Sequence, residues 1–228
     1  MALSDLFSRR RKEEHDGADA GAVDSPVLPT KALARFLSGL GARQLPVLLD
    51  LGPVVGQNVT FFGELGCKIL VEDVSADVDR HVKAGTLEEL PAFFDTRFPQ
   101  ETGTIDGILC WDTFDYLDRT ASEHLARQLV RVLRSDGQLL AFFSTADPRS
   151  AIRATYTKHI IVDTAHLQHR PYPAARVKQR PVLNRDIQRL FEPLRITEQF
   201  LLKTNLREVL FRKAADAATP PESPPVGR

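Results

Sequence analysis

The chain has 228 residues, and its 30 basic and 30 acidic side chains give a formal net charge of zero at pH 7. Hydrophobic residues make up 43% of the chain and charged residues 26%, which is ordinary for a soluble globular protein with one sizeable core. The balanced charge argues against nucleic acid as the main partner, and no apolar run approaches the roughly 20 residues that span a bilayer. We therefore expect a cytoplasmic protein without a membrane partner.

The two ends of the chain differ in composition from the rest. Residues 1–27 mix charged residues with Gly, Ala and Ser, and they have too little apolar pattern to offset the entropy of ordering. Residues 214–228 (AADAATPPESPPVGR) are rich in proline. The sequence predicts disordered tails at 1–27 and 214–228 and a single domain at 28–213.

The domain opens with a helix, followed by a strand, a turn, a helix and a second strand. These five elements are predicted at 29–40, 47–51, 52–56, 57–65 and 67–71. The second helix places Val59, Phe62 and Leu65 on one side, and the second strand ends in Glu72 and Asp73. A strand, glycine turn, helix and strand with an acid at its end are typical of a nucleotide-binding βαβ unit.

The chemistry of such a unit depends on its first turn. Gly52 and Gly56 let the backbone approach a ligand, the N–H groups at the helix start can donate to it, and an acid roughly 20 residues on, here Asp73, can accept ribose hydroxyls. Val54 stands where a second glycine is expected, and a β-branched residue rarely takes a positive φ. The turn therefore either has a different shape or holds its ligand less closely.

Helices and strands continue to alternate after this unit. Helical segments are predicted at 75–82, 121–133 and 184–191, mixed helix and loop at 87–98, and strands at 105–111, 138–144, 195–203 and 206–212. The last two strands are close in sequence, so we expect them to pair antiparallel. The pattern predicts an α/β fold with a doubly wound, mostly parallel Rossmann-like sheet, a C-terminal antiparallel hairpin and three αβα layers.

Residues 151–183 depart from this alternation. β-branched residues flank 163–165, so we interpret the segment as a strand pair or an irregular excursion over the sheet edge, where it could cover a substrate. In an extended segment, His159 and His169 would be far apart, and His166 and His169 would face opposite sides. We therefore predict exposed histidines and no metal site.

Several blocks of the sequence resemble class I S-adenosylmethionine-dependent methyltransferases of the small bacterial type. The blocks are LLDLGPVVGQN, VEDVSAD, TIDGILCWDTFDYLDR followed by LARQLVRVLRSDGQLLAFFS, and the closing FLLKTNLREVLFRK, which resembles the family's antiparallel hairpin. The resemblance covers about residues 28–213. It implies a sheet of the seven-strand type, S-adenosylmethionine as cofactor, and methyl transfer to an acceptor, with a small molecule favoured.

The resemblance also implies a cofactor site at the carboxyl ends of three strands. Its members are Asp50 and Gly52 under the amino-acid part of the cofactor, Gly56 at the helix start, Asp73 or its neighbour Glu72 on the ribose, and Trp111 and Asp112 beside the methionine and the methyl group. For a catalytic base the sequence leaves Asp112, Asp115, Tyr116 and a histidine of the excursion open.

Two other functions stay open at this point. The departure from the family pattern at Pro53, Val54 and Val55 allows a non-catalytic methyltransferase-like module that serves in binding or regulation. An NAD-dependent oxidoreductase is disfavoured, because that fold lacks the closing hairpin and because the altered turn would hinder a pyrophosphate more than a methionine. The oligomeric state is left open.

Overall fold

The computed structural model describes residues 25–40, 43–146, 154–179 and 181–215. Its strands are β1 (Val27–Pro29), β2 (Val47–Asp50), β3 (Lys68–Val71), β4 (Ile105–Trp111), β5 (Leu133–Ser144), β6 (Thr155–Asp163), β7 (His166–Pro173), β8 (Arg195–Leu201) and β9 (Leu206–Arg212). Its helices are α1 (Ala32–Leu40), α2 (Gly56–Glu64), α3 (Val74–Ala84), α4 (Leu90–Arg97), α5 (Arg119–Val132) and α6 (Asn184–Leu190). The predicted tails lie outside the described residues except for 25–27 and 214–215.

Six of the described strands form one sheet in the order β3-β2-β4-β5-β9-β8. Pairing is parallel from β3 to β5 and antiparallel between β5 and β9 and between β9 and β8. The central strand β4 is buried along its whole length, which explains its continuous apolar run. The predicted doubly wound α/β fold with a closing antiparallel hairpin is confirmed.

The main sheet has six strands in the described part of the chain, whereas the resemblance implied seven. Between α3 and β4 the chain forms a 3₁₀ turn at Leu87–Glu89 and then α4, and no strand is assigned there. Pro91 lies in the first turn of α4, where its missing N–H costs no helical hydrogen bond. β3 is therefore an edge strand of the sheet.

The side chains of the sheet alternate between two apolar layers. On one face, α3, α4, α5 and α6 pack on inward residues such as Leu49, Ile108 and Leu139. On the other face, α1 and α2 pack on Leu48, Leu109 and neighbours. The helices thus cover both faces and leave the carboxyl ends of β2 and β4 side by side at one edge.

A second sheet of three strands, in the order β1-β7-β6, packs against the α1 and α2 side. β6 and β7 form an antiparallel hairpin, so the interpretation of 154–171 as a strand pair is confirmed. Ile161 and Leu167 are each about 1% exposed and belong to the same apolar cluster as Phe62 of α2. The hairpin is therefore packed into the core and is not a loosely attached loop.

Some sequence-based expectations about α1 and α2 were wrong. Val59 and Leu65 are exposed, and the buried residues of α2 are Asn58 and Phe62, one turn apart. The helix turns a narrower face inward than its apolar residues indicated, because an amide at Asn58 takes part of that face. Pro29, predicted to open α1, instead ends β1, which pairs with β7.

Within the described residues no helix is both long enough and apolar enough to cross a membrane.

Candidate functional site

The carboxyl ends of β2 and β4 meet because the two strands are parallel neighbours, with Asp50 opposite Leu109. Asp50 is 2% exposed, and its Oδ1 accepts hydrogen bonds from the Gly52 N–H at 2.9 Å and from the Trp111 indole N–H at 2.6 Å. Burial raises the pKa of the Asp50 carboxyl to about 6, although both hydrogen bonds act in the opposite direction. The predicted site residues of these two strands are thus in direct contact.

Gly52 is needed here for the close approach of Trp111. A Cβ atom at Gly52 would lie 3.0 Å from Cδ1 of the indole ring, tighter than an ordinary contact. Trp111 itself has φ 49°, an uncommon backbone conformation for an aromatic residue, which turns its ring over the glycine. Asp50 and Gly52, which the resemblance placed under the cofactor, therefore lie under the indole of Trp111.

The altered glycine turn has a different shape from the one expected of the motif. Val54 is not among the described residues with positive φ, and its side chain is exposed to solvent. Val55 is extended, with φ −122°, and α2 begins at Gly56 directly after it. The turn reaches the helix without the left-handed residue that a second glycine would have supplied.

The first turn of α2 faces the β6 strand. The Asn58 carboxamide donates from Nδ2 to the His159 carbonyl oxygen at 2.8 Å and accepts at Oδ1 from the Ile161 N–H at 2.8 Å. Gln57 Nε2 donates to the Ile161 carbonyl oxygen at 2.7 Å. The polar side chains at the start of α2 are therefore bound to the backbone of the hairpin.

The side chain of His159 fills the space between β4 and the hairpin. Its ring stacks on Trp111 with centroids 5.2 Å apart and an interplanar angle of 11°, and it meets Phe142 edge-on. Nε2 donates to Asp112 Oδ1 at 3.1 Å, while the buried Nδ1 has no hydrogen-bond partner among the described residues. Trp111 and Asp112 were both predicted to lie beside a ligand. Instead, the His159 ring stacks on Trp111 and bonds to Asp112.

The expectations about the histidines were partly wrong. His159 is 5% exposed, whereas we predicted exposed side chains. His159 and His169 were expected to be far apart, but their ring centroids are 4.8 Å apart because the hairpin register places the two residues opposite each other. Burial lowers the pKa of His169 to about 4, so this ring is neutral at physiological pH.

Asp112 and Asp115 share one cation. Lys178 Nζ lies 2.9 Å from Asp112 Oδ2 and 2.9 Å from Asp115 Oδ2. Burial works against ionisation of both acids, yet Lys178 and His159 hold the pKa of Asp112 well below its usual range. Burial prevails at Asp115 and raises its pKa to about 6. One carboxylate is therefore firmly ionised beside the ammonium, and the second titrates near neutrality.

The two candidate ribose binders are also engaged. Arg97 Nη1 lies 2.6 Å from Glu72 Oε2, and Gln100 Nε2 donates to Glu72 Oε1 at 3.0 Å. Asp73 caps α3 by accepting from the Ala76 N–H at 3.0 Å, and its pKa is raised by burial. Asp73 is therefore the freer of the two, since both oxygens of Glu72 have partners.

These contacts leave almost no space in the cleft. The cavity between the glycine turn, Trp111, Asp112 and the hairpin measures about 10 Å³, room for about one water molecule. Its walls include Asn58, Ser75, Tyr156 and His159 as well. As arranged, the residues do not fit S-adenosylmethionine, because a cavity of this size is far smaller than that ligand.

Sequence reasoning found the members contributed by β2, β4 and the glycine turn. It left an unspecified histidine of the excursion open as a base without placing His159, and it missed Asn58 and Lys178 as parts of the same cluster. His159 and Lys178 lie about a hundred or more residues from the glycine turn, and no local pattern ties either to Asp112. Of these residues, only Asn58 could have been recognised from the sequence. It is a polar residue one turn from Phe62, on the side of α2 that faces inward.

No family model matches the chain, and no curated protein does. Among solved structures it is similar to Burkholderia thailandensis 1,6-didemethyltoxoflavin-N1-methyltransferase, at 15% identity over 92% of this chain and 87% of that one, with a TM-score of 0.46. It is similar to a TehB-like SAM-dependent methyltransferase from Corynebacterium glutamicum, at 14% identity over 92% and 97% of the two chains, with a TM-score of 0.48. The glycopeptide N-methyltransferase MtfA gives 13% identity, 82% and 97% coverage and a TM-score of 0.45.

Proposed function

We propose that the chain binds S-adenosylmethionine at the carboxyl edge of β2 and β4 and takes part in methyl transfer to a small-molecule acceptor. The observation that carries this proposal is the strand order β3-β2-β4-β5-β9-β8. The chain reverses direction across the sheet between β2 and β4, and ligands of open α/β sheets bind at such a switch point. Asp50, Gly52, Gly56 and Asp112 lie at this point, and the antiparallel β8 and β9 close the sheet.

The described conformation is closed to the cofactor, so binding requires the hairpin to leave the cleft. Ile161 and Leu167 would then lose their core contacts, at a cost of about 1.5–3 kcal/mol for each exposed side chain. A binding-competent form that is higher in free energy by about 3–6 kcal/mol weakens the apparent affinity by roughly 10²- to 10⁴-fold.

Isothermal titration calorimetry on the full chain tests the proposal. S-adenosylmethionine and S-adenosylhomocysteine should bind at high micromolar to millimolar concentrations, and NAD should give no heat. The double variant Glu72→Ala/Asp73→Ala should lose this binding, while Glu64→Ala, outside the cleft, should retain it. Binding that survives in the double variant would contradict the ribose assignment, and heat with NAD alone would favour the oxidoreductase.

A second candidate function is a non-catalytic module built on the same fold. It is favoured by the 10 Å³ cavity and by the pairing of Glu72 with Arg97, which leaves both carboxylate oxygens of Glu72 engaged. On this hypothesis His159 and Trp111 are permanent core residues, and the chain acts through its surface. The two functions differ in one measurement, because a non-catalytic module binds no S-adenosylmethionine even after the hairpin has been released.

A further inference from the structure

The β6–β7 hairpin does more than lie over the cleft, because its backbone is bonded to Asn58 and its His159 side chain fills the space beside Trp111. We propose that the β6–β7 hairpin is an autoinhibitory cover of this cleft and that the Asn58 carboxamide is the latch that holds it shut. The inference rests on the proposed function, since it concerns the regulation of the same site. Three sets of contacts support it: the latch itself, the His159 side chain in the cleft, and anchors at the open end of the hairpin.

The latch consists of one side chain that bonds to two backbone groups. Asn58 is 2% exposed, and both ends of its carboxamide bind β6, at the His159 carbonyl and at the Ile161 N–H. These groups are two residues apart on one edge of β6, so Asn58 occupies the place that a neighbouring strand would take. Asparagine is a poor helix former, and its burial in α2 is compensated by these two bonds.

The second set of contacts places His159 where the ligand is proposed to bind. The imidazole lies flat against Trp111 and donates to Asp112, and Lys178 holds the other oxygen of Asp112. The Asn58 bond to the His159 carbonyl fixes the same residue from the backbone side. Release of Asn58 therefore loosens the residue that fills the cleft.

The third set of contacts anchors the open end of the hairpin, at Thr155, Tyr156 and Ala175, to α3 and to Tyr116. The Tyr156 hydroxyl donates to Asp79 Oδ1 on α3 at 2.7 Å, and the Ala175 N–H donates to the same oxygen at 3.0 Å. The Tyr116 hydroxyl donates to the Thr155 carbonyl oxygen at 2.6 Å. These bonds do not involve α2, so they can remain in place when the Asn58 bonds to β6 break.

The test uses Asn58→Ala in the full chain, with Thr60→Ala as the matched control because Thr60 is exposed on the same helix. Trp111 is the only tryptophan of the sequence, so acrylamide quenching of its fluorescence reports directly on the cover. In Asn58→Ala we expect stronger quenching and about 10- to 100-fold tighter binding of S-adenosylmethionine by calorimetry, the range set by two lost hydrogen bonds. Thr60→Ala should match the unmodified chain in both measurements.

The outcomes separate the latch from the proposed function. Unchanged quenching and unchanged affinity in a folded Asn58→Ala overturn the latch, even if the unmodified chain binds S-adenosylmethionine tightly. Stronger quenching without any binding of S-adenosylmethionine supports the latch and overturns the proposed function. If Asn58→Ala does not fold, His159→Ser is measured instead, because it empties the cleft while both Asn58 bonds to the backbone remain. An unchanged affinity in that variant then overturns the cover.

Discussion

The Trp111 indole N–H donates to Asp50 Oδ1 at 2.6 Å and so links the ends of the two parallel strands at which the chain reverses across the sheet. Both side chains are buried, at 4% and 2% exposure. The bond is one of two that reach this oxygen, the other coming from Gly52. At the sheet edge that usually receives a ligand, the Asp50 carboxylate therefore accepts its hydrogen bonds from groups within the chain.

Trp111→Phe should destabilise the protein, because it removes a donor to a buried carboxylate while keeping an aromatic ring. We expect a loss of about 1.5–3 kcal/mol in the free energy of unfolding at pH 8, measured by urea titration with circular dichroism. At pH 5 most Asp50 is protonated, since its pKa is about 6, and the loss should shrink. An equal loss at both pH values would show that ring packing, and not the hydrogen bond, carries the effect.

Lys178→Met should be more damaging than an ordinary loss of a surface charge. The variant leaves Asp112 and Asp115 facing each other in a buried site without their cation, which costs about 3–5 kcal/mol in comparable pairs. Urea unfolding at pH 8 measures this cost, and lowering the pH should recover part of it, because a protonated carboxyl no longer repels its neighbour.

A matched control for Lys178→Met is Arg119→Met, which removes an exposed cation from the Arg119 and Glu123 pair on α5. The unfolding midpoint of Arg119→Met should stay at the value of the unmodified chain, as exposed pairs of this kind contribute little. Similar midpoints for the two variants would contradict the burial argument for the shared cation.

The fold could be predicted from sequence to a large extent, and the reason is visible in particular strands. β4 and the core of β5 are buried on both faces, so their residues form continuous apolar runs that locate them without knowledge of their partners. In β9 only Val209–Phe211 form an apolar run, and its short distance from β8 required antiparallel pairing. Between 82 and 105 no strand is among the elements predicted from the sequence, and none is assigned there, although the resemblance implied seven strands.

The candidate site was predictable only at the strand ends and in the glycine turn that follows β2. Asp50, Trp111 and Asp112 follow directly from strand positions. The closure of the cleft depends on Asn58 meeting β6 and on Lys178 meeting Asp112, and such pairings are set by how distant elements pack. Local periodicity contains no information about that packing. The histidines show the same limit, because the hairpin register decides which of them are neighbours.

Glu208→Ala should destabilise the attachment of α1. Glu208 on β9 is fully buried, and its Oε2 accepts from the N–H groups of Lys31 and Ala32 at 2.8 Å each, at the start of the helix. Loss of this cap should cost about 2–3 kcal/mol in urea unfolding. Glu208→Gln should cost less, because an amide oxygen can still accept both bonds. Equal losses in the two variants would show that the charge itself is needed.

Gly107→Ala tests how closely α1 packs on the sheet. A Cβ atom at Gly107 would lie 2.7 Å from Phe36 Cζ and 2.8 Å from Leu48 Cδ2, well inside contact distance. Overpacking of this kind costs about 1–3 kcal/mol in the free energy of unfolding. Gly63→Ala is the matched control, since no atom of the part of the chain that the structure describes lies within 4 Å of the added Cβ atom. A Gly107→Ala variant as stable as the control would indicate that α1 is held less tightly than these distances imply.

Asp50→Asn should change how stability depends on pH. The pKa of Asp50 is raised from about 4 in the unfolded chain to about 6 in the folded protein, so the folded protein binds more protons between these values. By linkage, Asp50 makes the folded state less stable as the pH rises from 4 to 7, by up to about 3 kcal/mol, with no further change above that range.

In Asp50→Asn, the asparagine oxygen can still accept hydrogen bonds from Trp111 and Gly52, but the side chain does not titrate. Urea unfolding at pH 4.5 and 7.5 should therefore show a smaller fall in stability for Asp50→Asn than for the unmodified chain, while the fall caused by Asp115 persists in both. An identical fall in the two proteins would mean that the Asp50 carboxyl titrates at an ordinary pKa and that burial does not control this edge of the sheet.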